Sequence, residues 1–157
     1  PEKTRLIEFG RFAASNSEKR GGDKPETFDF LGFTHICGKT QAGKFTVLRQ
    51  TQRKRLRAKL LEIKDSLKRR LHEAVPKVGS WLKAVVIGHL RYYAVPMNEW
   101  ALETFRYQVT RLWFRALKRR SQKHRMNWER MKRYVEKWIP SVRVYHPYPL
   151  VRLGVTT

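Results

Sequence analysis

Cations and aromatic rings are the groups this sequence sets at regular intervals. Between residues 53 and 70, Arg53, Arg57, Lys64 and Lys68 follow one flank of a leucine stripe, taking about 100° of helical turn per residue. Arg55, Lys59 and Arg70 follow the other flank. The acids Glu62 and Asp65 fall on the far side, where Asp65 is spaced to pair with Arg69. Unbalanced cations on both shoulders of a helix suit phosphate. Each phosphate neutralised releases counterions, and six to ten such contacts lose roughly 10³–10⁵ in affinity over about a fourfold rise in salt. Further on, Trp100, Tyr107 and Phe114 recur every seven residues, with Arg111 and Lys118 between them. Rings interleaved with cations stack on unpaired bases or ribose while the charges hold the backbone. A second packing face against another helix or a partner domain accounts for the same spacing. Arg119, Arg120, Lys123, His124 and Arg125 form a run without apolar punctuation, and phosphate contact is its simplest account.

Groups for covalent or metal chemistry are sparse. A two-metal polymerase or nuclease needs converging carboxylates, and Asp29 stands alone between Phe28 and Phe30. His35 and Cys37 are a close pair with no second pair to complete a zinc site. His89 lies within an apolar helix face, the position of a satisfied core histidine. No Gly-rich phosphate cradle and no nucleophile elbow occurs. The expectation is a chain that by itself catalyses nothing and holds neither metal nor cofactor.

The bulk composition agrees with a polyanion partner. In 157 residues, 35 Lys and Arg face 13 Asp and Glu, a net charge of +22. Charge of that size repels itself in a compact state and needs a standing reason. A hydrophobic fraction of 41% is enough for a packed core. Nucleic acid is favoured over a membrane surface, because no apolar run approaches the ~18–20 residues of a spanning helix and no secretory signal opens the chain. The single cysteine, Cys37, excludes an internal disulfide and fits a reducing cytoplasm. The start at Pro1, directly followed by a strand-like run, is expected of a chain cut from something longer.

The elements that position these groups read as α+β. Strands are expected near Thr4–Phe9, over the aromatic Thr27–Phe33, and at Thr34–Lys39 and Lys44–Arg49, the last two forming a hairpin around Thr40-Gln41-Ala42-Gly43. Ser15–Asp23 reads as a polar loop. From Thr51, whose hydroxyl can cap a helix N-terminus, the period becomes helical: Leu56, Leu60, Ile63, Leu67, Leu71 and Ala74 recur three and four apart. Pro76 and Gly79 are expected to stop this helix. A second, capped by Ser80, buries Leu82, Val85, Val86, His89 and Tyr93 and ends before Pro96. Asn98 caps a third, with Glu99 suited to its dipole and Leu102, Phe105, Val109, Leu112, Trp113 and Ala116 as its stripe. Asn127 caps a short helix through Trp138, stopped by Pro140, and Ser141–Thr157 looks irregular or edge-strand. The plan is a partial antiparallel sheet, a three-helix bundle and a short basic helical tail.

Several segments together resemble group II intron reverse transcriptases. Pro1-Glu2-Lys3-Thr4-Arg5-Leu6-Ile7 and Phe28-Asp29-Phe30-Leu31-Gly32-Phe33 look like the last two blocks of that family's palm. Gly88-His89-Leu90-Arg91-Tyr92-Tyr93 and Leu112-Trp113-Phe114-Arg115-Ala116-Leu117-Lys118-Arg119-Arg120 are similar to its maturase domain, called X or thumb. Tyr145-His146-Pro147-Tyr148-Pro149 is similar to its closing segment. The resemblance implies that residues 1–50 end the palm with a primer-grip hairpin, 51–120 form the thumb, and 121–157 are a basic tail entering the DNA-binding region. Phe30, Leu31, Gly32 and Phe33 would be the primer grip, with Gly32 letting a strand approach and Phe30 and Phe33 packed beneath. Lys3 matches a lysine sometimes assigned as proton donor to pyrophosphate. The implied partners are group II intron RNA, an RNA–DNA template–primer, target DNA and the rest of the reverse transcriptase. A bacterial cytoplasm, with association to the nucleoid, belongs to the same expectation. The family's paired catalytic aspartates, which hold Mg²⁺ in the polymerase, and its zinc-bearing endonuclease domain are missing from these residues.

Three functions fit the residues: a thumb and maturase region gripping intron RNA and template–primer, a stand-alone basic RNA-binding splicing factor or chaperone, and a scaffold docking a protein through its aromatic face. The expected nucleic-acid-binding residues are Arg53, Arg57, Lys59, Lys64, Lys68, Arg111, Lys118, Arg119, Arg120, Lys123 and Arg125.

Overall fold

The computed structural model describes residues 6–22, 24–120 and 126–147. They form two compact units, Pro1–Gln52 and Arg53–Thr157. The fold is α+β, with a three-stranded antiparallel sheet and five helices among the described residues.

The first unit carries helix α1 (Ala13–Lys19) and strands β1 (Phe28–Phe30), β2 (Phe33–Lys39) and β3 (Phe45–Thr51), in sheet order β1-β2-β3. Helix α1 corrects the expected Ser15–Asp23 loop. Its ending explains the polar, glycine-rich sequence: Gly22 N–H donates to Ser17 O at 2.8 Å and Gly21 N–H to Glu18 O at 3.0 Å, with Gly21 at φ 76°. That pair of bonds is a Schellman closure, which needs a left-handed residue just past the helix and so selects glycine. Leu6–Phe9 is not a strand; Phe9 instead sets its ring edge-on against Phe28 at 4.8 Å. The β2–β3 hairpin stands where expected, pairing from Phe33↔Thr51 to Lys39↔Phe45. Thr51 therefore closes β3 rather than capping a helix. Strands β1 and β2 join through only Leu31 and Gly32, at φ 48° and 81°. Two consecutive left-handed residues make a type I′ turn, whose twist matches its strands.

The second unit is helical: α2 (Arg53–Arg69), α3 (Val75–Tyr93), α4 (Glu99–Arg120) and α5 (Trp128–Trp138). Apolar residues three and four apart bring one core together, with Ile63 and Leu67 from α2, Leu82, Val86 and Leu90 from α3, Leu102, Phe105, Val109 and Trp113 from α4, and Met131 and Trp138 from α5. Helix α5 thus shares the core of the helices before it. Leu56 and Leu60 pack at its margin, while Ala74 is exposed.

Two breaker residues act differently from the sequence expectation. Pro76 sits in the first turn of α3, where its missing N–H costs nothing, so it starts a helix instead of stopping one. Gly79 is inside α3 and buried, because a Cβ there would lie 2.5 Å from Trp138 Cδ2. It is the point of closest approach to α5. Ser80 is likewise helical, and the cap position falls to Ala74, which offers no side-chain bond. Asn127 caps α5 as expected, and Asn98 directly precedes α4. Asn98 O accepts from Ala101 N–H at 3.1 Å while its Nδ2 donates to Tyr93 O at 2.9 Å, and Asn127 Oδ1 accepts from Arg130 N–H at 2.9 Å.

Beyond α5 the described chain is irregular but tied down. Tyr145 N–H donates to Ala94 O at 3.0 Å, His146 Nε2 to Arg91 O at 2.7 Å, and Arg106 Nε to Pro140 O at 3.0 Å. The first two acceptors lie at the carbonyl end of α3, where a helix leaves carbonyls without internal partners.

The two glycines of α3 separate packing from propensity. Gly79→Ala forces a methyl into the Trp138 ring and is expected to cost about 1–3 kcal/mol. A Cβ at Gly88 meets nothing within 4 Å, so Gly88→Ala is expected to gain up to ~1 kcal/mol of helix propensity. Thermal unfolding followed by circular dichroism should move the midpoint down for the first and up for the second; equal shifts would dispose of the Gly79–Trp138 contact.

Candidate nucleic-acid interface

Helices α2 and α4 pack alongside each other and leave a cleft of about 480 Å³. Its floor is apolar, from Leu67, Leu71, Leu112 and Ala116, and its walls carry Lys64 and Lys68 from α2 with Arg115, Lys118 and Arg119 from α4. Both helices place these cations by the same rule. Residues that bury the leucines at three-four spacing leave long cationic side chains on the shoulders, where their stems cover apolar surface and their heads stay in water. Five cations and no acid line the cleft.

Four of the expected phosphate contacts, Lys64, Lys68, Lys118 and Arg119, meet in this cleft. Arg115 was not among them, although it sits three residues after Leu112 and three before Lys118, a spacing that puts it on the same face. Arg53 and Arg57 are exposed nearer the start of α2 and do not line the cleft, and neither do Arg111 and Arg120. Lys59 lines a different one. Lys123 and Arg125, with Lys3, lie outside the described residues.

Neutralisation by acids is partial. Lys59 holds Glu62 at 2.9 Å and Lys68 holds Asp65 at 3.0 Å. Asp65 thus pairs three residues on with Lys68, correcting the expected Arg69 partner. Hydrogen bonding to Lys68, then the charges of Lys68, Lys64 and Arg69, keep its carboxyl below the ordinary carboxylate range. No described carboxylate lies within ion-pair distance of Arg53, Arg57, Lys64, Arg115, Lys118 or Arg119. Exposed pairs of this type contribute about 0–1 kcal/mol, so a phosphate displaces them at little cost.

The aromatic row on α4 divides. Trp100 is 79% exposed and Tyr107 56%, with Arg111 over the Tyr107 ring at 5.6 Å. Phe114 instead stacks on Trp128 at 4.2 Å and carries Lys118 above it at 5.4 Å. Two rings are therefore open for stacking, and the third is spent on packing.

In the first unit, the expected primer-grip residues form the β1–β2 turn. Phe33 is buried beneath it, but Phe30 is 58% exposed, which corrects its expected place under the turn, and Leu31 projects at the tip, 65% exposed. Asp29 accepts from Thr34 Oγ1 at 2.6 Å across the same strand pair. No group of three or more His, Cys, Asp or Glu converges on a metal position among the described residues.

A second cleft, about 520 Å³, opens between α2 and α3 and is lined by Arg55, Lys59, Gly88, His89, Tyr92 and Tyr93 among others. His89 is only 8% exposed and stacks on Phe105 at 3.7 Å, as a core histidine should. It is not satisfied, however: its Nε2 is buried with no hydrogen-bond partner. Burial, with the Lys59 charge adding, pushes its pKa down to about 4.

No helix among the described residues is long and apolar enough to cross a membrane. No family model, curated protein or solved structure matches this chain.

Because His89 stays neutral in the fold and ionises near its ordinary value of 6.5 once unfolded, the unfolded chain binds the extra proton as pH falls. Stability is therefore full above about pH 6.5 and declines towards pH 4, with a loss of about 2 kcal/mol already at pH 5. Urea unfolding between pH 7 and 5 should show this slope, and His89→Phe, which preserves the stack on Phe105, should flatten it. A slope unchanged in that variant rules His89 out as its source.

Proposed function

We propose that this chain is the thumb and maturase portion of a group II intron reverse transcriptase, binding intron RNA during splicing and template–primer during target-primed reverse transcription. The observation that carries the nucleic-acid part is the α2–α4 cleft, where Lys64, Lys68, Arg115, Lys118 and Arg119 stand around an apolar floor with no acid among its lining residues. A phosphodiester backbone supplies the charge these groups lack, and its sugar edges suit the floor. The exposed Trp100 and Tyr107 with Arg111 add stacking surfaces on the same helix. The intron-specific part is supported by the order of the sequence segments that resemble the family. Polymerisation itself would need carboxylates outside this chain. Its own residues bind and orient a strand.

Salt titration of binding to a structured intron RNA tests the reading. The expected log–log slope corresponds to several phosphates, each contributing ~0.7–0.9. Replacing Lys64, Arg115, Lys118 and Arg119 together by Gln should lower the slope by about three and weaken binding on the order of a hundredfold. A wild-type slope near one, or a slope the quadruple variant leaves untouched, sinks the interface. Equal affinity for an unrelated structured RNA, together with no acceleration of intron splicing, sinks the maturase assignment and leaves general RNA binding. If Trp100→Ala with Tyr107→Ala abolishes function while the quadruple variant does not, the aromatic face docks a protein instead.

A further inference from the structure

The cleft between α2 and α3 is built for something other than a duplex backbone. Its cations are few: Arg55 on α2, and Lys59, whose charge is already shared with Glu62 at 2.9 Å. Arg55 has no described carboxylate within ion-pair distance. The α3 wall is aromatic. Tyr92 is half exposed and stands edge-on to Tyr93 at 4.7 Å. Between these walls Gly88 leaves the space open, since a Cβ there would touch nothing within 4 Å. Behind lies His89, held against Phe105 by stacking, more than nine-tenths buried, with Nε2 unpartnered.

Each feature points to a different part of one ligand. His89 closes the back of the cleft with a ring already stacked on Phe105. A half-exposed tyrosine offers a stacking surface to any base. A free guanidinium at the mouth fits a phosphate, in a planar fork that ammonium lacks. The volume, about 520 Å³, lies within the usual range for small-ligand sites, ~300–1,000 Å³. A duplex is far too wide to enter it.

We infer that this cleft receives a single unpaired nucleotide turned out of a polynucleotide strand, its base set between Tyr92 and the His89 wall and its phosphate on Arg55. The inference rests on the RNA-binding reading above and deepens it. The cationic α2–α4 cleft holds paired backbone, whereas this one selects a bulged or looped nucleotide. Recognition of RNA by extruded bases is the common way proteins gain sequence or structure preference on it.

The test uses the full chain and a hairpin RNA with 2-aminopurine as a one-nucleotide bulge, against the same hairpin fully paired. The bulged hairpin is expected to bind roughly tenfold more tightly, the worth of one stacked base, and its fluorescence to change on binding. Gly88→Leu, which fills the open space, should remove the difference while leaving the paired hairpin's affinity unchanged. Gly88→Ala should retain it, and circular dichroism checks that both variants fold. A deoxyribose hairpin with the same bulge preference assigns recognition to base and phosphate; one without it adds the 2′-hydroxyl. Both support the site. If the two RNA hairpins bind equally, the nucleotide site is overturned while RNA binding stands. If Gly88→Leu leaves the preference intact, the nucleotide sits elsewhere and the cleft remains for a protein side chain. If neither hairpin binds at all, the RNA-binding reading falls and this site with it.

Discussion

One apolar seam holds the helical unit against the mutual repulsion of its own cations. Trp113 and Phe105 on α4 are essentially buried, and Ile63, Leu82, Leu90 and Met131 close on them from three other helices. Burying a large apolar side chain contributes about 1.5–3 kcal/mol, and the seam collects many of these. Against it stand cations on every helix, which the fold tolerates by local means. Lys59 and Arg70 pair with acids three residues on, and Lys68 with one three residues back. Arg70, Arg111, Lys118 and Lys137 lie over aromatic rings. A cation over a ring contributes about 0.5–1 kcal/mol at an exposed site without being neutralised. Those charges remain available to an outside anion, which is why the same arrangement serves both stability and binding.

The apolar period made α2, α4 and most of α3 legible in the sequence, since burial at three-four spacing leaves few other ways to fold. Helix α5 was legible from its cap and the Pro140 stop. The β2–β3 hairpin was legible from its connection, and the Asn127 cap from its side-chain chemistry. What failed depends on partners distant in sequence. Pro76 can begin a helix or end one, and nothing local distinguishes the two. Gly79 gains its meaning only from Trp138, which the chain delivers from another helix. Helix α1 was hidden because its polar residues carry no apolar stripe and its glycine closure resembles a turn.

The candidate site was half legible, for the same reason. Spacing along α2 gave Lys64 and Lys68, and the basic end of α4 gave Lys118 and Arg119, but spacing within one helix does not say which shoulder meets its neighbour. The α2–α4 contact separates these four, with Arg115, from Arg53 and Arg57. His89 looked like an ordinary core residue, and its helix face predicted the burial. Its unpaired nitrogen follows from the whole set of neighbours, none of which offers a hydrogen-bond partner.

The bonds from Tyr145 and His146 to the carbonyl end of α3 carry a consequence for how this protein is made. His146 follows Arg91 by 55 residues. As the chain leaves the ribosome, α3 emerges before the strap, and closing so long a loop carries an entropic cost that must wait for later contacts. Helices α4 and α5 have to be translated before the strap can reach back. The closing of α3 is therefore a late event of biogenesis, and a protease that cut the strap would return the helix end to its nascent condition.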